Sequence, residues 1–299
     1  MITNRRFRFG VVAAQAQSAA GWIAKARQIE TLGYSTLLIP DTLGLTFAPF
    51  PALTAAAVAT QTLRVGTFVL ANDYRNPVFV ARESATVDLL SNGRFELGLG
   101  AGRPNAESDY RKLGIPFESG GVRVARLAES LGIIKALLSG EHVSSTSATS
   151  TIADADVFPR PVQQPRPPIM IAASGHRLLG LAAREADIVT LGVPPRETAD
   201  DFAARIDVIR REAGERFDEL ELGINLIAAG RQVPRFIEQF GLDLEQMKQS
   251  GSPVALIGSV EEMCDQLLDR RERFGISYIS VADELMESFA PVVERMAGR

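Results

Sequence analysis

The chain has 299 residues, 46% of them hydrophobic and 23% charged, with a mean hydropathy of +0.06, enough to bury one large core in a single domain over residues 1–299. A formal charge of −4 and a pI near 5.5 argue against nucleic acid or an anionic membrane as the main partner. No apolar run reaches the length of a membrane span, and MITNRRFRFG lacks the apolar core of a signal peptide, so the expected location is the cytoplasm.

In chain order, short apolar runs alternate with amphipathic stretches. Arg6 to Ala13 is the first strand, and a helix from Ala19 to Leu32 stops at Gly33. Ser35 to Pro40 is the second strand, Pro51 to Thr62 a helix, and Leu63 to Leu70 the third strand. Asn76-Pro77 opens a helix through Leu90 that ends at Asn92-Gly93, and Arg94 to Gly98 is the fourth strand. An excursion, Gly100 to Gly120, precedes the helix Val122 to Leu138. The Ser- and Thr-rich segment Ser139 to Asp156 reads as a loop or short hairpin outside the main sheet. Five of the sixteen prolines fall between Pro159 and Pro168, which therefore runs extended into the fifth strand, Ile169 to Ala173. Then come helix His176 to Glu185, strand Asp187 to Leu191, helix Glu197 to Glu212 and strand Leu220 to Ala228. Val233 to Ser250 reads as two short extra helices. Helix Glu261 to Phe274, strand Ser277 to Ala282 and a helix from Glu284 to Met296 complete the chain.

Eight strands, most followed by helices, predict an α/β fold with a parallel sheet. The alternatives are a (β/α)8 TIM barrel with insertions after strands four and seven, and an open doubly wound sheet. The barrel is favoured, because an open sheet would show a glycine-rich turn after its first strand and AAQAQSAAG has none. Aromatics are 7% of the chain, and small branched residues suit a layered barrel interior.

Only two histidines exist, His142 and His176, and neither has a partner at metal-ligand spacing, which argues against a metal-dependent hydrolase or a Ser-His-Asp triad. The single cysteine, Cys264, excludes an intramolecular disulfide and reads as a packing residue. A large barrel with few conventional catalytic groups fits a bound cofactor that carries the chemistry. Barrel sites form at the C-terminal strand ends. There, Asp41 is a lone carboxylate that either meets a polar cofactor ring or caps the next segment. Gly98, Gly100 and Gly102 either admit a flat ligand or serve a turn. In AASGHR, Ala173, Ser174 and Gly175 lead into a helix whose amides attract a phosphate, with charge from His176 or Arg177; alternatively Ser174 is an ordinary N-cap. Glu107, Asp109 and Tyr110, taken one by one, read as solvated surface, with a lid as the other possibility.

These residues make the chain resemble the luciferase-like monooxygenase superfamily, in its deazaflavin (coenzyme F420)-dependent oxidoreductase branch. The resemblance runs nearly end to end. It rests on GYSTLLIPDTLG (Gly33 to Gly44), LRVGTFVLANDYRNPVFVARESATVDLLSNGRFELGLGAG (Leu63 to Gly102), YRKLGIPFESGGVRVARLAESLGIIKALLSG (Tyr110 to Gly140), PVQQPRPPIMIAASGHRLLGLAAREAD (Pro161 to Asp187) and LIGSVEEMCDQLLDRRERFGISYISV (Leu256 to Val281). It implies a cis peptide at Phe68-Val69 beneath the cofactor ring. It also implies ring and ribityl contacts at Asp41, Val69, Ala71, Asn72, Gly100, Ala101 and Gly102, and phosphate contacts at Ala173, Ser174 and Gly175.

Two positions depart from the family pattern. Thr42 stands where many relatives carry a catalytic histidine, and Arg103 where some deazaflavin dehydrogenases carry a glutamate. Threonine is a poor proton-transfer group at neutral pH. The expectation is therefore hydride transfer from reduced F420 to an activated C=C or C=N bond of a small substrate, with Thr42 and Arg103 at the reacting centre, rather than alcohol oxidation. The competing expectations are an FMN-dependent monooxygenase and a non-catalytic cofactor-binding protein. Relatives suggest a homodimer.

Overall fold

A strand buried on both faces must find backbone partners on both edges, and this chain meets that demand with a closed parallel sheet. The computed structural model describes residues 5–146, 151–235, 241 and 243–299. The elements begin with β1 (Arg8–Val12), α1 (Ala19–Thr31), β2 (Thr36–Ile39), α2 (Pro49–Ala59), β3 (Arg64–Thr67), β4 (Leu70–Ala71) and α3 (Pro77–Leu90). Next are β5 (Phe95–Gly100), α4 (Glu107–Leu113), α5 (Gly120–Leu138), β6 (Val143–Thr146), β7 (Thr151–Ala155), β8 (Ile169–Ala173) and α6 (His176–Glu185). Then follow β9 (Ile188–Leu191), α7 (Ala199–Ala213), β10 (Glu221–Leu226), β11 (Ala228–Ala229) and α8 (Leu244–Gln249). The last are β12 (Ala255–Leu256), α9 (Val260–Phe274), β13 (Ile276–Ala282) and α10 (Met286–Met296).

The main sheet runs β3-β2-β1-β13-β10-β9-β8-β5-β4, and β3 pairs with β5 to close it. With β3 and β4 counted as one interrupted strand, this is the (β/α)8 TIM barrel. Both expected insertions are present: α4 follows the fourth barrel strand, and β11, α8 and β12 follow the seventh.

Local chemistry sets the boundaries. Asn76 accepts the Val78 amide at 2.9 Å to cap α3, and Asn92 and Gly93 both take positive φ to end it. Thr198 with Asp201, and Ser259 with Glu262, form capping boxes on α7 and α9.

The chain divides into two compact units. The first contains Met1–Ala13, Ala24–Leu38 and Ile171–Arg299, with a core that includes Phe9, Leu37, Ile224 and Val281. The second contains Ala14–Ile23 and Ile39–Met170, with Leu53, Val65, Phe95 and Leu131 buried. In the second unit the proline-rich approach to β8 is pinned by fully buried Asp88. Its carboxylate accepts the Gln163 backbone N–H at 2.9 Å and the Gln163 side-chain amide at 2.6 Å.

The fourth barrel strand departs from expectation, and the short hairpin allowed for Ser139 to Asp156 is present. The fourth barrel strand runs to Gly100, two residues beyond Gly98, because Leu99 and Gly100 pair with Leu70 and Ala71. Within Ser139 to Asp156, β6 and β7 form an antiparallel hairpin. Of the two short helices expected in Val233 to Ser250, α8 is the second; the first falls largely on 236–240, outside the described residues. The β11–β12 pair was not anticipated, since two-residue strands leave no periodic signal.

Candidate active site

In the second unit the third barrel strand is interrupted where the site was expected. The Phe68-Val69 peptide is cis, as the resemblance implied, and the strand resumes as β4. Around this bulge the Phe68 N–H donates to the Ile39 carbonyl at 2.7 Å. The Thr67 hydroxyl donates to the Gly98 carbonyl at 2.8 Å and accepts the Gly98 N–H at 2.7 Å.

Gly98 and Gly100 owe their lack of side chains to this bulge. A Cβ on Gly98 would lie 2.0 Å from the Thr67 carbonyl oxygen, and one on Gly100 would lie 2.7 Å from Val69 Cγ2. At Gly102 (φ +83°) a Cβ would meet the Tyr110 hydroxyl at 2.7 Å and Arg123 Nη1 at 2.8 Å. The room the glycines leave is thus filled by Thr67, Val69, Tyr110 and Arg123. For Gly98 and Gly100 the missing Cβ leaves room for the bulge, in line with the reading that the glycines serve the path of the backbone.

Asp41 is not a lone carboxylate. It takes a two-pronged ion pair from Arg75, at 2.5 and 3.1 Å, and accepts the Ala71 N–H at 3.1 Å. Asn72 is buried and leads into Asp73, which pairs with Arg126 at 2.9 Å and accepts the Tyr110 hydroxyl at 3.1 Å. Burial, reinforced by Asp73, pushes the Tyr110 phenol up to about 12. Arg123 Nη1 donates to the carbonyls of Ala101 (2.7 Å) and Gly102 (3.0 Å), fixing the strand end. Arg103, half-exposed, is tied to buried Asp109 at 2.9 Å. Asp109 and Tyr110 are therefore buried supports of the strand tips, against the expectation of solvated surface; Glu107 is exposed as expected. Thr42 is partly buried, and its backbone N–H and carbonyl both bond the Thr46 hydroxyl. Asp41, Val69, Ala71, Asn72, Gly100, Ala101 and Gly102 thus converge on one set of strand ends, with Thr42 and Arg103 on the adjoining segments.

In the first unit, β8 ends at Ala173, whose carbonyl accepts the Gly192 N–H at 2.9 Å. The N-cap of α6 is Gly175, with no side-chain cap, so Ser174 is not the capping residue that one sequence reading allowed. The first-turn amides starting at His176 are left without a side-chain acceptor. Ser174 is held by its carbonyl, which accepts Arg205 Nη1 at 2.7 Å; Arg205 also pairs with buried Glu197 at 2.6 Å. Burial raises the Glu197 carboxyl above the ordinary carboxylate range, against the opposing pull of Arg205. His176 is exposed, its Nε2 3.3 Å from Arg211 Nη2.

Sequence reasoning did not anticipate Arg75, Arg123, Arg126 or the Glu197–Arg205 pair. Each is a long or charged side chain whose partner lies in another element, so spacing along the chain carried no signal of it. Among the described residues no group of three or more His, Cys, Asp or Glu could hold a metal ion, and no helix is long and apolar enough to cross a membrane. Cys264 is buried, and burial pushes its thiol up.

Comparison with known proteins adds the following. The family model described as luciferase-like monooxygenase matches residues 4–232. The F420-dependent glucose-6-phosphate dehydrogenase of Intrasporangium calvum is 26% identical over 280 residues, covering 84% of this chain and 83% of the relative. That of Beutenbergia cavernae is 34% identical over 166 residues, so the match spans 53% of this chain and about half (48%) of that relative. The 4-hydroxyprotoasukamycin monooxygenase of Streptomyces nodosus subsp. asukaensis is 29% identical over 295 residues, covering 91% of this chain and 76% of the relative. Among solved structures, the coenzyme F420-dependent tetrahydromethanopterin reductase from Methanopyrus kandleri superposes with a TM-score of 0.77 at 19% identity, covering 98% of this chain and 99% of that one, a likeness of fold.

Proposed function

The chain belongs to the luciferase-like monooxygenase family, and on that premise we propose that it is a cytoplasmic oxidoreductase using coenzyme F420 to reduce an activated C=C or C=N bond of a small organic substrate. Two observations support the cofactor. The uncapped amides at the start of α6 suit an anionic tail, with Ala173, Ser174, Gly175 and His176 around it. The bulge at Val69, backed by Gly100, Ala101 and Gly102 and edged by Asp41, Ala71 and Asn72, offers a half-buried backbone ledge for a planar ring. When bound, reduced F420 supplies the hydride.

The observation that carries the reaction type is that the carboxylates at the tips of the second to fourth barrel strands are already engaged. Asp41 is held by Arg75, Asp73 by Arg126 and Tyr110, and Asp109 by Arg103. Oxidation of an alcohol needs a base within hydrogen-bond reach of its hydroxyl, and the oxygens of these carboxylates are already taken by arginine and tyrosine donors. Thr42 can donate a hydrogen bond to a substrate heteroatom. Arg103, anchored by Asp109, presents positive charge where negative charge develops on an accepting group.

The test follows F420 absorbance in both directions, with reduced F420 and a panel of unsaturated acceptors, and with oxidised F420 and a panel of alcohols. Turnover confined to alcohol oxidation would overturn the reading of the reaction, and saturable binding without turnover would point to a non-catalytic carrier. An FMN-dependent monooxygenase is the second reading, favoured by the near full-length match to the Streptomyces monooxygenase. Tighter binding of FMN than of F420 in a quenching titration would select it. A homodimer is also proposed: α2 carries no charged residue and exposes Val58, and α3 exposes Phe79, Leu89 and Leu90.

A further inference from the structure

Away from the strand tips, the first unit contains a cavity of about 280 Å³ lined by residues of α8, β12 and α9, near the lower edge of the volumes typical of small-ligand pockets, about 300–1,000 Å³. Its walls include Met247, Phe274, Lys248, Asp269, Arg270 and Arg273, three cations against one carboxylate. Arg270 is 6% exposed. Its Nη2 donates to the carbonyls of Ser252 (3.0 Å) and Ala255 (2.5 Å), which accounts for one arm of the guanidinium. Its Nη1 is buried with no acceptor among the described residues. A buried donor left unmade costs free energy that packing does not return. Burial also pushes this guanidinium down to about 10, the mark of a charge lacking adequate compensation. At the rim, Arg273 reaches Asp269 at 3.4 Å and Lys248 reaches Glu262 at 3.9 Å; both cations are about half-exposed and only loosely paired.

We propose that this cavity is a binding site for a small phosphomonoester dianion, with Arg270 in its inner wall, Lys248 and Arg273 closing over the phosphate, and Met247 and Phe274 walling the organic part. The three cations, with Asp269 and Glu262 as carboxylate partners, leave the site net positive, which argues for an anion; a phosphate monoester carries about −1.5 to −2 at neutral pH. The planar guanidinium and compact ammonium are both suited to phosphate oxygens. The volume exceeds what a bare inorganic ion fills, which is why an ester is favoured. The site stands independently of the function proposed for the strand tips.

The test is calorimetric titration of the full chain with inorganic phosphate and with glycerol 3-phosphate, at constant ionic strength held by chloride. It is run in a Gly175→Asp background, where a carboxylate occupies the uncapped amides of α6 and removes that competing anion site. The expected result is saturable binding, tighter for the ester, weakened about tenfold or more by the double substitution Lys248→Ala/Arg273→Ala. These two side chains are at the rim, so the double variant should fold; its melting temperature without phosphate checks this. Arg270→Lys, which retains charge but loses the fork, should also weaken the ester. Absence of binding, or equal affinity in the parent and the double variant, would refute the site. Equal affinity for acetate and the ester would refute the assignment to a phosphomonoester.

Discussion

Replacing Gly100 with alanine separates two reasons for a bare strand tip. The new Cβ would stand 2.7 Å from Val69 Cγ2, about 1 Å inside the ordinary carbon–carbon contact of about 3.5–4.0 Å. Overpacking of this kind costs about 1–3 kcal/mol. Val69→Ala deletes both Cγ atoms; the site is half-buried, so its own cost is about 1 kcal/mol. In the double variant the overlap vanishes, and the cycle should show a favourable coupling of about 1–3 kcal/mol. Gly98→Ala is the control. Its Cβ would sit 2.0 Å from the Thr67 carbonyl oxygen, a backbone atom that Val69→Ala does not move, so most of its loss should survive the second substitution. Urea denaturation followed by circular dichroism reads each variant as a shift of midpoint at constant slope. If Gly100→Ala kept full stability and lost only the cofactor, the glycine would be bare for the ligand, and the explanation from the bulge would be wrong. Additive single losses, within about 0.5 kcal/mol, would refute it equally.

Gly175→Asp should act in opposite directions on stability and binding. No atom lies within 4 Å of the added Cβ, and aspartate caps a helix better than glycine by a few tenths of a kcal/mol, so the melting temperature should rise slightly. Affinity for a phosphate-bearing cofactor should fall about tenfold or more, because the carboxylate takes the same amides; unchanged affinity in a fluorescence titration would remove α6 from the site. Arg75→Ala leaves Asp41, 5% exposed, with only the Ala71 N–H. Since Arg75 itself is 24% exposed, the loss should be about 2–3 kcal/mol, below the about 3–5 kcal/mol typical when a fully buried pair is broken, as measured by chemical denaturation. Tyr34 is buried with its hydroxyl donating to the Met286 carbonyl at 2.8 Å, and burial pushes its phenol well above the ordinary 10. The folded state thus holds this proton more tightly than the unfolded chain. Its contribution to stability is complete below about pH 10 and declines as pH rises above that value. Tyr34→Phe should lose about 1 kcal/mol at neutral pH and close that gap in alkali. Parallel stability profiles from pH 8 to 11 would show that Tyr34 is not the group responsible.

What the sequence determined alone was whatever is written in neighbouring residues. Asn76-Pro77 opens α3 and Asn92-Gly93 ends it, five prolines hold residues 159–168 out of helix, and the alternation of apolar runs with amphipathic stretches specifies eight parallel strands. Hydrophobic period and capping act over a few residues, so they can be read from the chain directly. The positions of Thr42, Gly100, Gly175 and their neighbours at strand ends were legible for the same reason: they follow from where each strand stops.

Only the tertiary structure decided what those positions meet. Gly100 faces Val69, 31 residues earlier; Asp41 is claimed by Arg75; Tyr110 and Arg123 fill the space at Gly102; Arg205 holds the Ser174 carbonyl. Closing a sheet brings together side chains whose separation in sequence bears no relation to their distance in space. Arginine, with a long flexible stem, satisfies whichever carboxylate or carbonyl the fold puts within reach. Whether a glycine is bare for a ligand or for a neighbouring strand, and whether a carboxylate is free to take a proton, are therefore properties of packing, which a single sequence does not contain.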